Sequence, residues 1–223
     1  MVRCLLATGV LAMLTSCAKR EEPAPPSAGP GPAEAGTPVP RAAHTGGSQP
    51  TVAMIIAHSR FRDEELLAPK QALEKAGARV DVVSTALGEA KGMKGATVQA
   101  GRTIDEISPG DYDAIVFVGG TGAQDYWDSK VAHDLCRGTV ESGKVLAAIC
   151  IAPVTLARAG VLEGKQAVVW ADCRDELSKR GARLAPPSTH VAVDGRIITG
   201  DGPDAAEEFG QELCRALGLG EGA

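Results

Sequence analysis

Between residues 51 and 219, short apolar runs alternate with stretches of helical periodicity, and that alternation is what most restricts this chain. The runs 52–57, 79–84, 113–118, 145–149 and 167–170 have the length and near-continuous apolar character of strands buried on both faces. Helical segments are expected at 63–76, 125–142, 151–159, 174–180 and 203–217, several of them closed by a glycine such as Gly77 or Gly160. Residues 85–105 are glycine-rich and read as a small hairpin excursion. Residues 191–199 read as a hairpin turning at Asp194-Gly195. The expected fold is therefore α/β, a three-layer α/β/α sandwich with a mainly parallel, flavodoxin-like sheet. Aromatic residues make up only 3% of the chain, so this core must be aliphatic. In such sheets ligands gather at the carboxyl ends of the strands.

The first 50 residues follow other rules. A positive charge at Arg3 precedes an apolar run, 4–14, which is too short to span a membrane but suits a signal-peptide core. Leu14-Thr15-Ser16-Cys17 resembles a bacterial lipobox, in which the cysteine is lipidated and becomes the new amino terminus. Residues 1–17 are thus expected to be a lipoprotein signal peptide ending at Cys17. Residues 18–50, rich in Pro, Gly and Ala, form an expected disordered tether, because such a stretch lacks apolar surface to offset chain entropy. With Ala18 after the cysteine, the expected location is the cell envelope, on the periplasmic side of the outer membrane. A net charge of −5 provides no basic face for a phosphate backbone, so nucleic acid is an unexpected partner.

Three loops converge on the carboxyl edge of the expected sheet. The sharpest is Ala148-Ile149-Cys150-Ile151-Ala152-Pro153, where a strand stops, a cysteine makes the turn and a helix begins. A tight turn there lifts the sulfur above the sheet edge, as in a nucleophile elbow. Unpaired N–H groups of the new helix would lower the thiol pKa. A buried structural cysteine explains the local pattern equally well. Glu65 read locally is a solvated carboxylate at a helix start, and Gly119-Gly120 is equally ordinary turn chemistry.

Four segments in order resemble the DJ-1/PfpI family, within the class I glutamine amidotransferase-like superfamily. They are Ala148-Ile149-Cys150 with Pro153 and the Leu156 to Lys165 stretch, Phe61-x-Asp63-x-Glu65-Leu66, Tyr112-Asp113 through Gly119-Gly120, and Asp194-Gly195 through Gly202-Pro203. The resemblance implies that Cys150 is a nucleophile, that Glu65 is its carboxyl partner, and that the Gly120 and Ile151 N–H groups form an oxyanion hole. A carboxyl beside a thiolate should itself be pushed toward its protonated form. Relatives commonly dimerise, so a homodimer is expected.

The chain also departs from the family. Protease-like members carry His after the cysteine, where this chain has Ile151. Glyoxalase- and deglycase-like members have a His at the end of the fifth strand, where Trp170 stands, and Asp201 occupies a position that often carries Arg. His58 follows the first strand and Cys173 follows Trp170, which makes them possible accessory residues, Cys173 as a resolving thiol for Cys150. His133 and His190 read as ordinary helix and loop residues. Histidine and cysteine show no metal-ligand spacing, and neither metal nor organic cofactor is expected. The leading expectation is a lipid-anchored, cysteine-dependent hydrolase or lyase acting on a small carbonyl compound or a peptide or protein substrate. The alternatives are an oxidant sensor using Cys150 and a ligand-binding module on the same fold.

Overall fold

In this computed structural model the described residues are 49–220. The signal peptide, Cys17 and all but the last two residues of the expected tether lie outside them. The first half of the domain comprises β1 (Thr51–Ile55), β2 (Ser59–Phe61), α1 (Asp63–Lys75), β3 (Arg79–Ser84), β4 (Gly88–Gly92), β5 (Thr97–Ala100), β6 (Arg102–Thr103) and β7 (Ala114–Phe117). The second half adds α2 (Lys130–Glu141), β8 (Val145–Ile149), α3 (Pro153–Arg158), β9 (Gln166–Ala167), α4 (Arg174–Lys179), β10 (Arg183–Leu184), β11 (Val191–Asp194), β12 (Ile197–Gly200) and α5 (Ala206–Ala216).

Seven strands form the main sheet in the order β11-β12-β8-β7-β1-β3-β6, all parallel except the edge strand β11, which runs antiparallel to β12. Continuous apolar strands are what this arrangement requires, because alternate residues enter opposite cores. On β8, Leu146 and Ala148 join one core with Leu135 and Cys136 of α2, Leu156 of α3 and Leu177 of α4. Val145, Ala147 and Ile149 join the other, with Leu66 and Leu73 of α1 and Phe209 and Leu213 of α5. The expected three-layer fold is the one observed.

Strand order changes direction between β1 and β7, since β3 continues on one side of β1 and β7 lies on the other. A crevice opens at the carboxyl ends of strands on either side of such a switch point. The loops leaving β1, β7 and β8 all rise there. The 85–105 excursion is the β4–β5 hairpin, which pairs with β2. Buried Asp63 at the start of α1 secures it, accepting hydrogen bonds from the Lys94 and Ala96 N–H groups at 2.9 and 2.7 Å.

Two expected elements differ. The 125–142 helix begins only at Lys130, because Thr121–Tyr126 form 3-10 turns and the Ser129 side chain caps α2 by accepting from the Ala132 N–H. The fifth strand at 167–170 shrinks to β9, outside the main sheet and paired with β10. The N–H groups beyond it bond elsewhere: Val168 to Thr199 Oγ1 at 3.0 Å and Trp170 to the Cys150 carbonyl at 2.8 Å. These bonds satisfy the backbone without a strand partner.

Candidate active site

Cys150 follows the last residue of β8 and adopts φ 66°, one of two non-glycine residues with positive φ among those described. For an L-residue this conformation costs about 1–2 kcal/mol. It persists because both sides are tied: the Cys150 N–H donates to the Gly200 carbonyl at 3.0 Å, and the Cys150 carbonyl accepts from Trp170. β12 and the segment after β9 therefore hold the elbow in its strained form. α3 starts at Pro153, so Ile151 and Ala152 form a turn between the sulfur and the helix.

Glu65 lies in the first turn of α1 and is wholly buried. Its carboxyl and Cys150 meet across Gly119. A Cβ on that glycine would lie 2.4 Å from Glu65 Oε2 and 2.5 Å from Cys150 Cβ, so only glycine lets the two approach. Gly120 has φ 93°, and a Cβ there would strike the Arg62 nitrogen at 2.4 Å. The turn bonds to the start of α1 through Arg62 N–H to the Gly119 carbonyl, 3.0 Å. The backbone N–H groups of Gly120 and Ile151 both face the Cys150 sulfur. An oxygen developing on a carbon bound to that sulfur would meet the same two donors.

Burial pushes the Glu65 carboxyl up to about 7, while the facing Cys150 thiol, the Arg62 charge and the Gly119 N–H pull it partly back. Neither Glu65 oxygen has a well-formed hydrogen bond. Such an unsatisfied buried carboxyl is uncommon in a core and typical of a reactive centre. The upward shift is the one expected of this carboxyl. The thiol behaves otherwise than expected: it is pushed up to about 12, first by burial and next by the Glu65 charge, against the Gly120 and Ile151 N–H groups. The expected lowering by a helix start fails because α3 begins three residues later and is a short helix, whereas Cys150 is only 8% exposed. Between these two values the pair holds one proton, with the carboxyl ionised beside a protonated thiol.

A cavity of about 210 Å³ opens over the sulfur, walled by Arg62, Glu65, Met93, Gly120, Thr121, Ile151, Trp170 and Pro203. Cys150, Glu65, Gly120 and Ile151 are thus brought together, while His58 and Cys173 are not among the cavity walls. Cys173 packs with the opposite core from Cys150 because the turn after Trp170 carries it past the sheet edge; all four cysteines of the described residues are free. Trp170 and Pro203 also wall a second cavity, about 350 Å³, containing Arg174, His190, Asp201 and Asp204. His190 Nδ1 lies 2.9 Å from Asp201 Oδ2, and that carboxylate raises the imidazole pKa. Sequence reading left His190 as an ordinary residue. Its pairing with Asp201 arises from the antiparallel register of β11 and β12, just beyond which the two residues face each other.

Residues 50–216 match the DJ-1/PfpI family. The chain belongs to this family. Among its relatives, an uncharacterized protein of Methanocaldococcus jannaschii is 44% identical over 169 residues, covering 74% of this chain and 82% of that protein. The deglycase PfpI of Pyrococcus furiosus is 28% identical over 164 residues, covering 74% and 98%. Among solved structures, a ThiJ/PfpI domain protein from Brachyspira murdochii superposes with a TM-score of 0.74 at 27% identity, covering 77% of this chain and 98% of that one. DJ-1beta of Drosophila melanogaster gives 0.70 at 25% identity, covering 79% and 92%. The family's fold and the parallel sheet described above are the same architecture.

Proposed function

We propose that this protein is a cysteine-dependent enzyme of the hydrolase or lyase kind, acting on small carbonyl compounds or their adducts through Cys150. The convergence of a strained Cys150, a buried Glu65 and two N–H donors on one cavity carries this reading. The deglycase name of the Pyrococcus relative supports the same substrate class.

In the reaction the Cys150 sulfur adds to the carbonyl carbon, forming an S–C bond as the C=O π pair moves to oxygen. Ionised Glu65 takes the thiol proton in the same step, so no free thiolate is needed beforehand. Gly120 and Ile151 donate to the new oxyanion. Protonated Glu65 then returns the proton either to that oxygen, giving a neutral thiohemiacetal, or to an amine nitrogen on the same carbon, whose C–N bond breaks as the C=O re-forms. Water then adds to the resulting thioester, the C–S bond breaks and the Cys150 thiol is regenerated. Neither Ile151 nor Trp170 supplies an imidazole, so Glu65 carries both proton transfers. Peptidase chemistry is the weaker reading because an amide nitrogen is a poor leaving group for a site with a single carboxyl of pKa about 7. Oxidant sensing is disfavoured by the thiol's burial and raised pKa, since thiolate is the species peroxide attacks.

The full chain, incubated with glyoxal, methylglyoxal and their amine adducts, should consume them with multiple turnovers, and Cys150→Ser should not. Stoichiometric consumption without turnover would remove the enzyme reading. We further propose lipid attachment at Cys17 in the cell envelope, and a homodimer. Fatty-acid labelling that survives Cys17→Ala contradicts the first, and a monomeric sedimentation value contradicts the second.

A further inference from the structure

One charge in the Cys150 cavity neither gives nor takes the transferred proton. Arg62 lies directly before α1, with its backbone fixed against the oxyanion loop by its hydrogen bond to Gly119. Arg62 is among the residues that wall the same cavity as the sulfur. Glu64 takes the Arg62 Nε–H at 2.9 Å and one Nη2–H at 3.5 Å. A guanidinium has five N–H donors, and these two bonds leave three for a ligand. Met93, Thr121, Ile151, Trp170 and Pro203, on the remaining walls, are uncharged. The other ionisable groups in the cavity are Glu65 and Cys150 themselves. Beyond Trp170 and Pro203, in the adjoining cavity, Asp201 is paired with His190, and Arg174 faces the same space as Asp204. The Arg62 charge reaches the reacting pair, because it is among the causes holding the Glu65 pKa down.

A small, mostly apolar cavity with one cation beside the nucleophile and two N–H donors discriminates by ligand charge. We infer that the site prefers carbonyl compounds bearing a carboxylate beside the reacting carbon, that is, small 2-oxo acids, and that Arg62 is the residue that binds the carboxylate. This rests on the proposed reading of Cys150 as the nucleophile. The donors then divide the ligand between them: Arg62 takes the fixed negative charge, and Gly120 and Ile151 take the charge that develops on the carbonyl oxygen. Asp201, in the adjoining cavity, is an anion paired with His190, so within the Cys150 cavity Arg62 is the cation among the wall residues. As Glu65 ionises near pH 7 a negative charge enters the cavity, so the preference for anions is strongest below that pH.

Iodoacetate and iodoacetamide test this, because they differ in charge while reacting with the same thiolate, whose abundance cancels in the ratio of rates. Alkylation of each cysteine in the full chain is followed by peptide mass spectrometry at about pH 7.5, where Glu65 is largely ionised and can take the Cys150 proton, with half-exposed Cys173 as internal reference. In Arg62→Gln the iodoacetate-to-iodoacetamide ratio at Cys150 should fall about fivefold, the size of one partly exposed charge contact. Arg62→Lys should recover part of it, and Cys173 should show no change. If both reagents modify Cys150 and the ratio is the same in Arg62→Gln as in the wild type, the anion-binding role of Arg62 is wrong and the nucleophile reading stands. If Cys150 resists both reagents while Cys173 reacts, both readings fall together.

Discussion

Cys136 and Cys150 are both buried thiols, one in each core of the same sheet, yet only one is placed to react. Cys136 sits mid-way along α2 with no exposure, and burial alone drives its pKa far up. Cys150 is nearly as buried, but its backbone is forced to φ 66°, two N–H groups face its sulfur, and a buried carboxyl lies across Gly119. On the proposed function, reactivity at Cys150 would not come from an exposed or pre-ionised sulfur but from a proton acceptor packed against the sulfur and donors facing it.

The largest effect that breaks this comparison is at the sulfurs. Cys150→Ser should lower turnover by about 10³-fold or more while leaving the fold intact, measured by steady-state kinetics and thermal melting. Cys136→Ala should leave turnover near wild type and cost roughly 1–3 kcal/mol of stability through the cavity it opens in the core around Leu135 and Leu146. If both substitutions lowered turnover alike, the contrast would be lost.

Next in size are the glycines. Gly119→Ala would thrust a methyl group to within 2.4 Å of Glu65 Oε2, forcing carboxyl and sulfur apart. Turnover should fall roughly 10²–10³-fold, the range seen when charge-stabilising geometry is lost. A Gly119→Ala protein with wild-type kcat would show that the Glu65–Cys150 approach is unimportant.

A smaller effect sharpens the role of Glu65 through pH. Its folded pKa, about 7, is raised above the ordinary carboxyl value of 4.5 by burial. Stability from the neutral carboxyl is therefore fully present below pH 4.5 and is lost as pH rises through 7. The lost amount approaches about 3 kcal/mol. Denaturant melts of wild type against Glu65→Gln should diverge over that window, with the wild type losing stability relative to the variant. Parallel pH dependences would contradict a buried, titrating carboxyl.

Much of this was legible in the sequence, for stated reasons. β8 and the residue after it could be placed because a five-residue apolar run ending in Cys and followed by Pro153 has few other readings. Glu65 and Gly120 were legible only through family resemblance, since each has an ordinary local explanation. What escaped involved contacts distant in sequence. The end of the expected fifth strand bonds to Thr199 and Cys150 instead of a neighbouring strand. The His190–Asp201 pair depends on hairpin register. The direction of the Cys150 pKa depended on how deeply the sulfur sits and on α3 starting late, neither of which a local pattern encodes.

The most direct test is the rate of iodoacetamide modification at each cysteine as a function of pH, in wild type and Glu65→Gln. The account predicts that Cys150 reacts faster than Cys136 and Cys214, with a rise centred near pH 7 that disappears in Glu65→Gln. A Cys150 rate that climbs only in strongly alkaline solution, identically in both proteins, would contradict it.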